Sequence, residues 1–129
     1  MDKALLIRSN ETEAYKQLGY WNLDKVSNLK DLKYIFVHNG AGAVTGAYEL
    51  VYEKNGFRTD KPYSVISGTV EKKDQNGEVT TVKNVRVNFY EFTKPLNVKY
   101  YSVSVPVTKQ GQAQPVQVVQ FDKKNMTIV

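Results

Sequence analysis

The chain has 129 residues, no cysteine and one histidine, and 18 lysines and arginines against 13 aspartates and glutamates give a net charge of +5. This length predicts a single domain, 1–129, and excludes a multidomain enzyme, while the lack of cysteine excludes a disulfide scaffold and a cysteine-ligated metal site. No run reaches the ~18–20 apolar residues of a membrane span, and the first residues lack the apolar core of a signal peptide. We therefore expect a cytoplasmic protein that does not contact a membrane.

The first predicted elements are a strand at Ala4–Arg8 and a short helix after it. Asn10 and Glu13 form a capping-box pattern at the start of this helix, and Gly19 suits the position just past its end. A second helical turn is predicted near Ser27–Leu32. The sequence therefore predicts one or two short helices, both near the N-terminus.

Period-two alternation of apolar and polar residues dominates the rest of the chain. It predicts strands, because successive side chains of a strand point to opposite faces. The runs are also rich in the β-branched and aromatic residues that strands favour. The predicted strands are Lys33–His38, Ala43–Tyr52, Tyr63–Lys72, 85–90, Tyr101–Val107 and Val116–Phe121.

Turn signals separate these strands at residues 39–42, 55–56 and 74–77, where asparagine and glycine tolerate positive φ. Residues 108–114 are predicted as a surface loop, and residues 122–129 either as a short edge strand or as a disordered tail. Regularly spaced strands with turn signals predict a mainly β (α+β) domain, either a barrel or a sandwich. The early helix favours a small barrel of about six or seven strands plugged by a helix.

His38 is the one imidazole available for chemistry, and it stands between a predicted strand and a turn. Three roles stay open for it: a catalytic base, a strand-end histidine that bonds to the loop, or a ligand contact. The glycine-rich run 40–46 is not followed by a helix and so does not predict a dinucleotide site. No metal-ligating motif occurs among the scattered carboxylates. We therefore expect no metal and no cofactor, and an enzyme is the least favoured class.

Aromatic residues are numerous, with nine tyrosines, five phenylalanines and one tryptophan. Tyr20, Trp21 and Asn22 follow the predicted helix, where the tryptophan either plugs the core or stacks on a nucleobase. Arg86 and Tyr90 share one face of a predicted strand, together with Asn88. That face either contacts a base or a phosphate, or is an ordinary solvated face.

The order of the elements resembles a known superfamily. The strand ALLIRSN, a helix, the tripeptide GYW and the strand–turn–strand LKYIFVHNGAGAVTGAYELV follow one another along the chain. Over residues 4–107 this order is similar to the PUA-like superfamily, which includes EVE, YTH and ASCH domains. The segment I-F-V-H…V-x-G-x-Y-E-L-V carries the resemblance most directly.

The resemblance implies a small β-barrel that binds RNA or DNA, and some of its relatives hold a flipped or modified base in an aromatic pocket. By this resemblance Tyr20 and Trp21 would wall the pocket, and Asn22, His38 and Asn39 would offer polar contacts at its rim. A few ASCH-type relatives are small amidohydrolases, which leaves a hydrolase as a further reading.

Two function classes follow. The leading hypothesis is a nucleic-acid-binding module in which Trp21, His38, Arg86 and Tyr90 converge on one cleft. The alternative is a non-catalytic interaction or structural domain, such as an accessory, phage or mobile-element protein. It would bind a protein partner, or a second copy of itself, through a strand edge or a tyrosine-rich face.

Overall fold

Strands make up almost all the regular structure, which confirms the predicted mainly-β class. The computed structural model describes residues 1–16, 20–21, 29–89, 93–105 and 116–128, with the backbone alone described at 20–21 and 83–85. The strands are β1 (Asp2–Arg8), β2 (Tyr20–Trp21), β3 (Leu32–His38), β4 (Val44–Leu50), β5 (Glu53–Lys54), β6 (Phe57–Arg58), β7 (Ser64–Lys73), β8 (Val79–Asn88), β9 (Thr93–Leu96), β10 (Val116–Asp122) and β11 (Thr127–Ile128).

The largest sheet has six strands in the order β11-β10-β1-β3-β4-β9. β1 and β3 pair in parallel at its centre, and the other neighbours are antiparallel. Both central strands carry continuous apolar runs, Ala4–Ile7 and Tyr34–Val37, which are buried. A continuous apolar run suits a strand that is covered on both faces, as parallel strands usually are.

Two hydrophobic clusters cover the two faces of this sheet. The first includes Leu5, Ile7, Tyr15, Leu29, Leu32, Ile35, Val37, Tyr48, Leu50, Val87 and Phe89. The second includes Ala4, Leu6, Tyr34, Phe36, Ala47, Val103, Val105 and Phe121. Alternate residues of β1 and β3 belong to different clusters, so these two strands hold both halves of the core together.

A three-stranded sheet in the order β2-β8-β7 packs against the first cluster through Val87 and Phe89. Its β7–β8 hairpin pairs from Ser64↔Asn88 to Lys73↔Val79. The predicted turn at 74–77 is confirmed, and Asp74 Oδ1 accepts hydrogen bonds from the amides of Asn76 (2.9 Å) and Glu78 (2.8 Å). Most of β7 is exposed, so this hairpin forms an arm beside the core.

Within the described residues the sheets do not close into the predicted barrel. The six-stranded sheet ends at β11, which has two residues, and at β9, which carries Pro95. Neither edge offers a long ladder: β11 is too short, and in β9 the proline lacks the amide that a ladder needs. In the part of the chain that the structure describes, isolated bridges join Ser104 to Ala43 and to Thr127.

The predicted helix after β1 is wrong over the residues described. A single 3-10 turn, Ala14–Lys16, stands there. Ser9, and not Asn10, accepts the first amide bond, from Glu11 N at 3.1 Å. Glu13 pairs with Lys16 at 3.0 Å instead of closing a capping box. A helix this short is marginal by itself, so packing of Tyr15 against the core decides its form.

Two other predicted elements differ from the structure. Residues 101–105 do not form a strand beyond the bridges at Ser104, although Val103 and Val105 are buried as the alternation predicts. The second helical turn is a turn at 29–31 that leads directly into β3, with Leu32 N donating to Leu29 O at 3.3 Å. Gly19 and the predicted loop 108–114 lie outside the described residues.

The last predicted segment, 122–129, contributes β11, which pairs with the end of β10 at the edge of the sheet. Among the residues described, no helix is long and apolar enough to cross a membrane.

Candidate functional site

The carboxyl ends of the two central strands, β1 and β3, lie side by side at the same end of the large sheet, because these strands are parallel. Arg8 and His38 are register partners there, and Ser9 N donates to His38 O at 2.9 Å. Arg8 is exposed and lies close to Gly40, where an added Cβ would stand 3.5 Å from Arg8 Cδ. Carboxyl ends of parallel strands are a common location for ligand contacts.

His38 is nearly buried at this end of the sheet, with 7% of its surface exposed. Its Nδ1 accepts a hydrogen bond from Gly40 N at 3.2 Å, which assigns the proton of the neutral ring to Nε2. Burial, and secondarily the Arg8 guanidinium, lowers the pKa of His38. The neutral ring therefore shapes the β3–β4 turn, as in the loop-bonding role considered for it.

Protonation of His38 should weaken the fold. Its folded pKa lies below the ordinary histidine value of about 6.5, so its stabilising contribution is complete above that pH and is lost as the pH falls through the folded pKa. We expect the free energy of unfolding, measured by urea titration, to fall between about pH 7.5 and about pH 5.5. In His38→Asn, whose side-chain oxygen can accept the Gly40 amide, the fall should be smaller. An identical fall in both proteins would contradict this role.

Asn39 also shapes the turn. Its Oδ1 accepts a hydrogen bond from Ala41 N at 2.9 Å, which forms an Asx turn at the start of the β3–β4 connection. Gly40 and Gly42 both have φ near 89°, a region that glycine enters without steric cost. The predicted turn at 39–42 is thus confirmed.

Tyr20, Trp21 and Arg86 come together on the three-stranded sheet. The β2–β8 ladder sets Tyr20 opposite Arg86 and Trp21 opposite Val85. Arg86 is half-buried, and on its other side it is the register partner of Ile66 in β7. The row Tyr20–Arg86–Ile66 therefore crosses all three strands of the sheet.

The structure divides the sequence-predicted site into two groups. His38 and Asn39 lie at the carboxyl end of the central strand β3 in the six-stranded sheet, whereas Tyr20, Trp21 and Arg86 lie on the three-stranded sheet. Asn22 and Tyr90 lie outside the described residues.

The three-stranded sheet is joined to the first cluster by Val87 and to the 3-10 turn by Asn88. The side-chain amide of Asn88, in the orientation that satisfies its hydrogen bonds, donates to Lys16 O at 3.0 Å. Phe89, the next residue, is fully buried beside Tyr63. Val87 and Phe89 thus connect the three-stranded sheet to the first cluster.

Sequence reasoning missed Arg8, and it also missed the packed pair of tyrosines Tyr15 and Tyr48. The rings of Tyr15 and Tyr48 lie 4.1 Å apart, and Tyr48 Oη donates to Thr12 O at 2.9 Å. Gly46 leaves room for this pair, since an added Cβ would come within 3.2 Å of Tyr48 Cε2. The segment V-x-G-x-Y contained this information, but only the fold identifies the glycine as a packing position.

No family model, curated protein or solved structure matches this chain. In the part of the chain that the structure describes, no group of three or more histidine, aspartate or glutamate side chains could hold a metal ion. The function must therefore be argued from the chemistry of the residues themselves.

Proposed function

We propose that this chain binds nucleic acid and that the β2–β8 ladder contacts the bases. The register that sets Tyr20 opposite Arg86 carries the proposal, because register partners lie on the same face of a sheet. Aromatic rings stack on any unpaired base for ~1–3 kcal/mol each. An arginine beside them supplies a planar cation that pairs with phosphate oxygens in two parallel hydrogen bonds.

Charge supports the same partner. The chain has a net charge of +5, and Arg8 is exposed at the carboxyl end of β1. A net positive field attracts polyanions and makes their binding weaken with added salt. The neutral His38 adds no charge near pH 7, so Arg8 and Arg86 are the cations to test first.

The finer proposal is that Tyr20, on the face of Arg86, stacks on a flipped base, modified or not, whereas Trp21 pairs with Val85 and so belongs to the other face of the sheet. A base in a duplex must leave its stack first, which costs a few kcal/mol. A single strand does not need this step, so we expect it to bind more tightly than the duplex of the same sequence.

Trp21 is the only tryptophan in the chain and the neighbour of Tyr20 in β2, so its fluorescence reports on a ligand bound at the β2–β8 ladder. Titration with single-stranded DNA or RNA should quench its fluorescence, whereas inorganic polyphosphate of matched charge should bind without comparable quenching. Oligonucleotides that contain methylated or unmethylated cytosine and adenine test whether the chain distinguishes a modified base. Equal quenching by polyphosphate would contradict a contact between bases and the ladder.

Arg86→Gln should weaken oligonucleotide binding about fivefold to tenfold and reduce the salt slope by about one, as expected when one phosphate contact is lost. Fluorescence anisotropy at two salt concentrations measures both quantities. Arg58→Gln is the matched control, because Arg58 has 88% of its side chain exposed on the β5–β6 hairpin. If both variants bind alike, the ladder is not the site. Absence of binding by the unaltered protein at low salt would overturn the proposed function.

A further inference from the structure

We propose that β7 pairs with β7 of a second copy of this chain, so that two three-stranded sheets join edge to edge in an antiparallel dimer. β7 is the last strand in the order β2-β8-β7. It has ten residues, and its described ladder runs along β8 only. A strand edge of this length presents a row of amides and carbonyls that another strand can pair with.

The other described edges are protected against such pairing. β11 has only two residues, and β9 has four, including Pro95 and Lys94. Short strands, proline and lysine are the usual means by which proteins block an edge. The first seven residues of β7, Ser64–Val70, contain neither charge nor proline.

The same stretch exposes aliphatic side chains. Val65 is 40% exposed and Ile66 is 51% exposed, although both belong to the end of the hairpin that adjoins the core. Because strand side chains alternate, these two residues lie on opposite faces of the sheet. A second β7 would therefore cover apolar surface on both faces.

Charge selects one register for this dimer. With the two-fold axis at Ile66, Val65 stands opposite Ser67 of the second copy, and Ser64 opposite Gly68. The same alignment brings the exposed Glu71 and Lys72 near Lys61 and Asp60 of the second copy, respectively, which are exposed residues of the loop just before β7. Each end of the interface thus gains two opposite-charge pairs.

Neighbouring registers are penalised. A shift of one residue in one direction places Lys72 opposite Lys61 of the second copy, and in the other direction Glu71 opposite Asp60. Like charges directly opposite each other are destabilising, and a one-residue slip also moves every side chain to the other face. The register centred on Ile66 is therefore the one favoured by charge.

Sedimentation equilibrium from micromolar to millimolar protein tests this inference. We expect a reversible monomer–dimer equilibrium that Ile66→Lys weakens about tenfold or more, since it places two cations at the axis. Val79→Lys is the matched control, because Val79 is also 51% exposed but lies on β8. It should dimerise as the unaltered protein does.

Charge exchange tests the register. Lys61→Glu should weaken the dimer, and the double variant Lys61→Glu with Glu71→Lys should restore it. A single monomeric species at every concentration would overturn the inference. So would equal weakening by Ile66→Lys and Val79→Lys, or a double variant weaker than Lys61→Glu alone. These outcomes are independent of oligonucleotide binding.

Discussion

Phe121→Ala should lower the free energy of unfolding by about 3–5 kcal/mol. Phe121 is fully buried in the second cluster, where its ring contacts Phe36 edge-on at 4.8 Å and Tyr34 at 5.3 Å between centroids. Truncation removes the ring that both partners pack against, and the central strands β1 and β3 leave little freedom for collapse. Small domains have only about 5–15 kcal/mol of stability, so this is a large share.

Urea unfolding followed by circular dichroism gives this quantity. Phe57→Ala is the matched control, because Phe57 is 76% exposed on the β5–β6 hairpin and should change stability by no more than about 0.5 kcal/mol. Phe121→Leu leaves a smaller cavity and should lie between the two, which keeps a measurable value if the alanine variant does not fold. Equal losses for Phe121→Ala and Phe57→Ala would show that the aromatic cluster does not stabilise the fold.

The turn signals and the side-chain alternation around β8 were reliable, whereas the capping-box pattern at Asn10 and Glu13 was not. The alternation around β8 predicted that Val87 and Phe89 face the core, and both are fully buried. The turn at 55–56 is equally local: Asn55 and Gly56 have φ of 54° and 81° and connect β5 to β6. Such features depend on residues adjacent in the chain, so their chemistry is visible in the sequence.

Choices between distant partners were not predictable in the same way. Nothing in the apolar run of β1 specifies a parallel partner, yet it pairs with β3 in parallel and with β10 from the far end of the chain. This parallel pair brings Arg8 next to His38, which no spacing indicates. The barrel prediction failed for a related reason, since closure depends on how the edges β9 and β11 meet.

The candidate site shows the same division. Its residues were chosen for their chemistry, and register then brought Tyr20 and Arg86 together across a ladder that joins positions 66 residues apart. His38 lies on the other sheet, at the end of β3, where its hydrogen bond with Gly40 N gives the imidazole a structural role in the β3–β4 turn. Val87 and Phe89 join the three-stranded sheet to the first cluster, on the face that the alternation predicted to be buried.

Alkaline pH should destabilise the fold through Tyr34. Tyr34 is 1% exposed, and burial, assisted by the nearby Tyr101, Glu49 and Asp2, raises its pKa to about 12 from the ordinary tyrosine value of about 10. The unfolded chain therefore loses this proton first as the pH rises. The stabilising contribution is complete below pH 10 and falls by about 1.4 kcal/mol per pH unit until the folded pKa is reached.

Urea unfolding at about pH 9 and about pH 11 should therefore show a clear loss, of which Tyr34 supplies about 1 kcal/mol. Tyr15, Tyr48, Tyr52 and Tyr63 also have pKa values raised mainly by burial, so they add to the total. Tyr34→Phe should lose correspondingly less, whereas Tyr100→Phe, at a position 73% exposed, should lose as much as the unaltered protein. An unchanged loss in Tyr34→Phe would mean that the hydroxyl of Tyr34 reaches water in the folded state. The second cluster, to which Tyr34, Phe36 and Phe121 all belong, would then be open to solvent. The loss of unfolding free energy expected for Phe121→Ala would be smaller in that case.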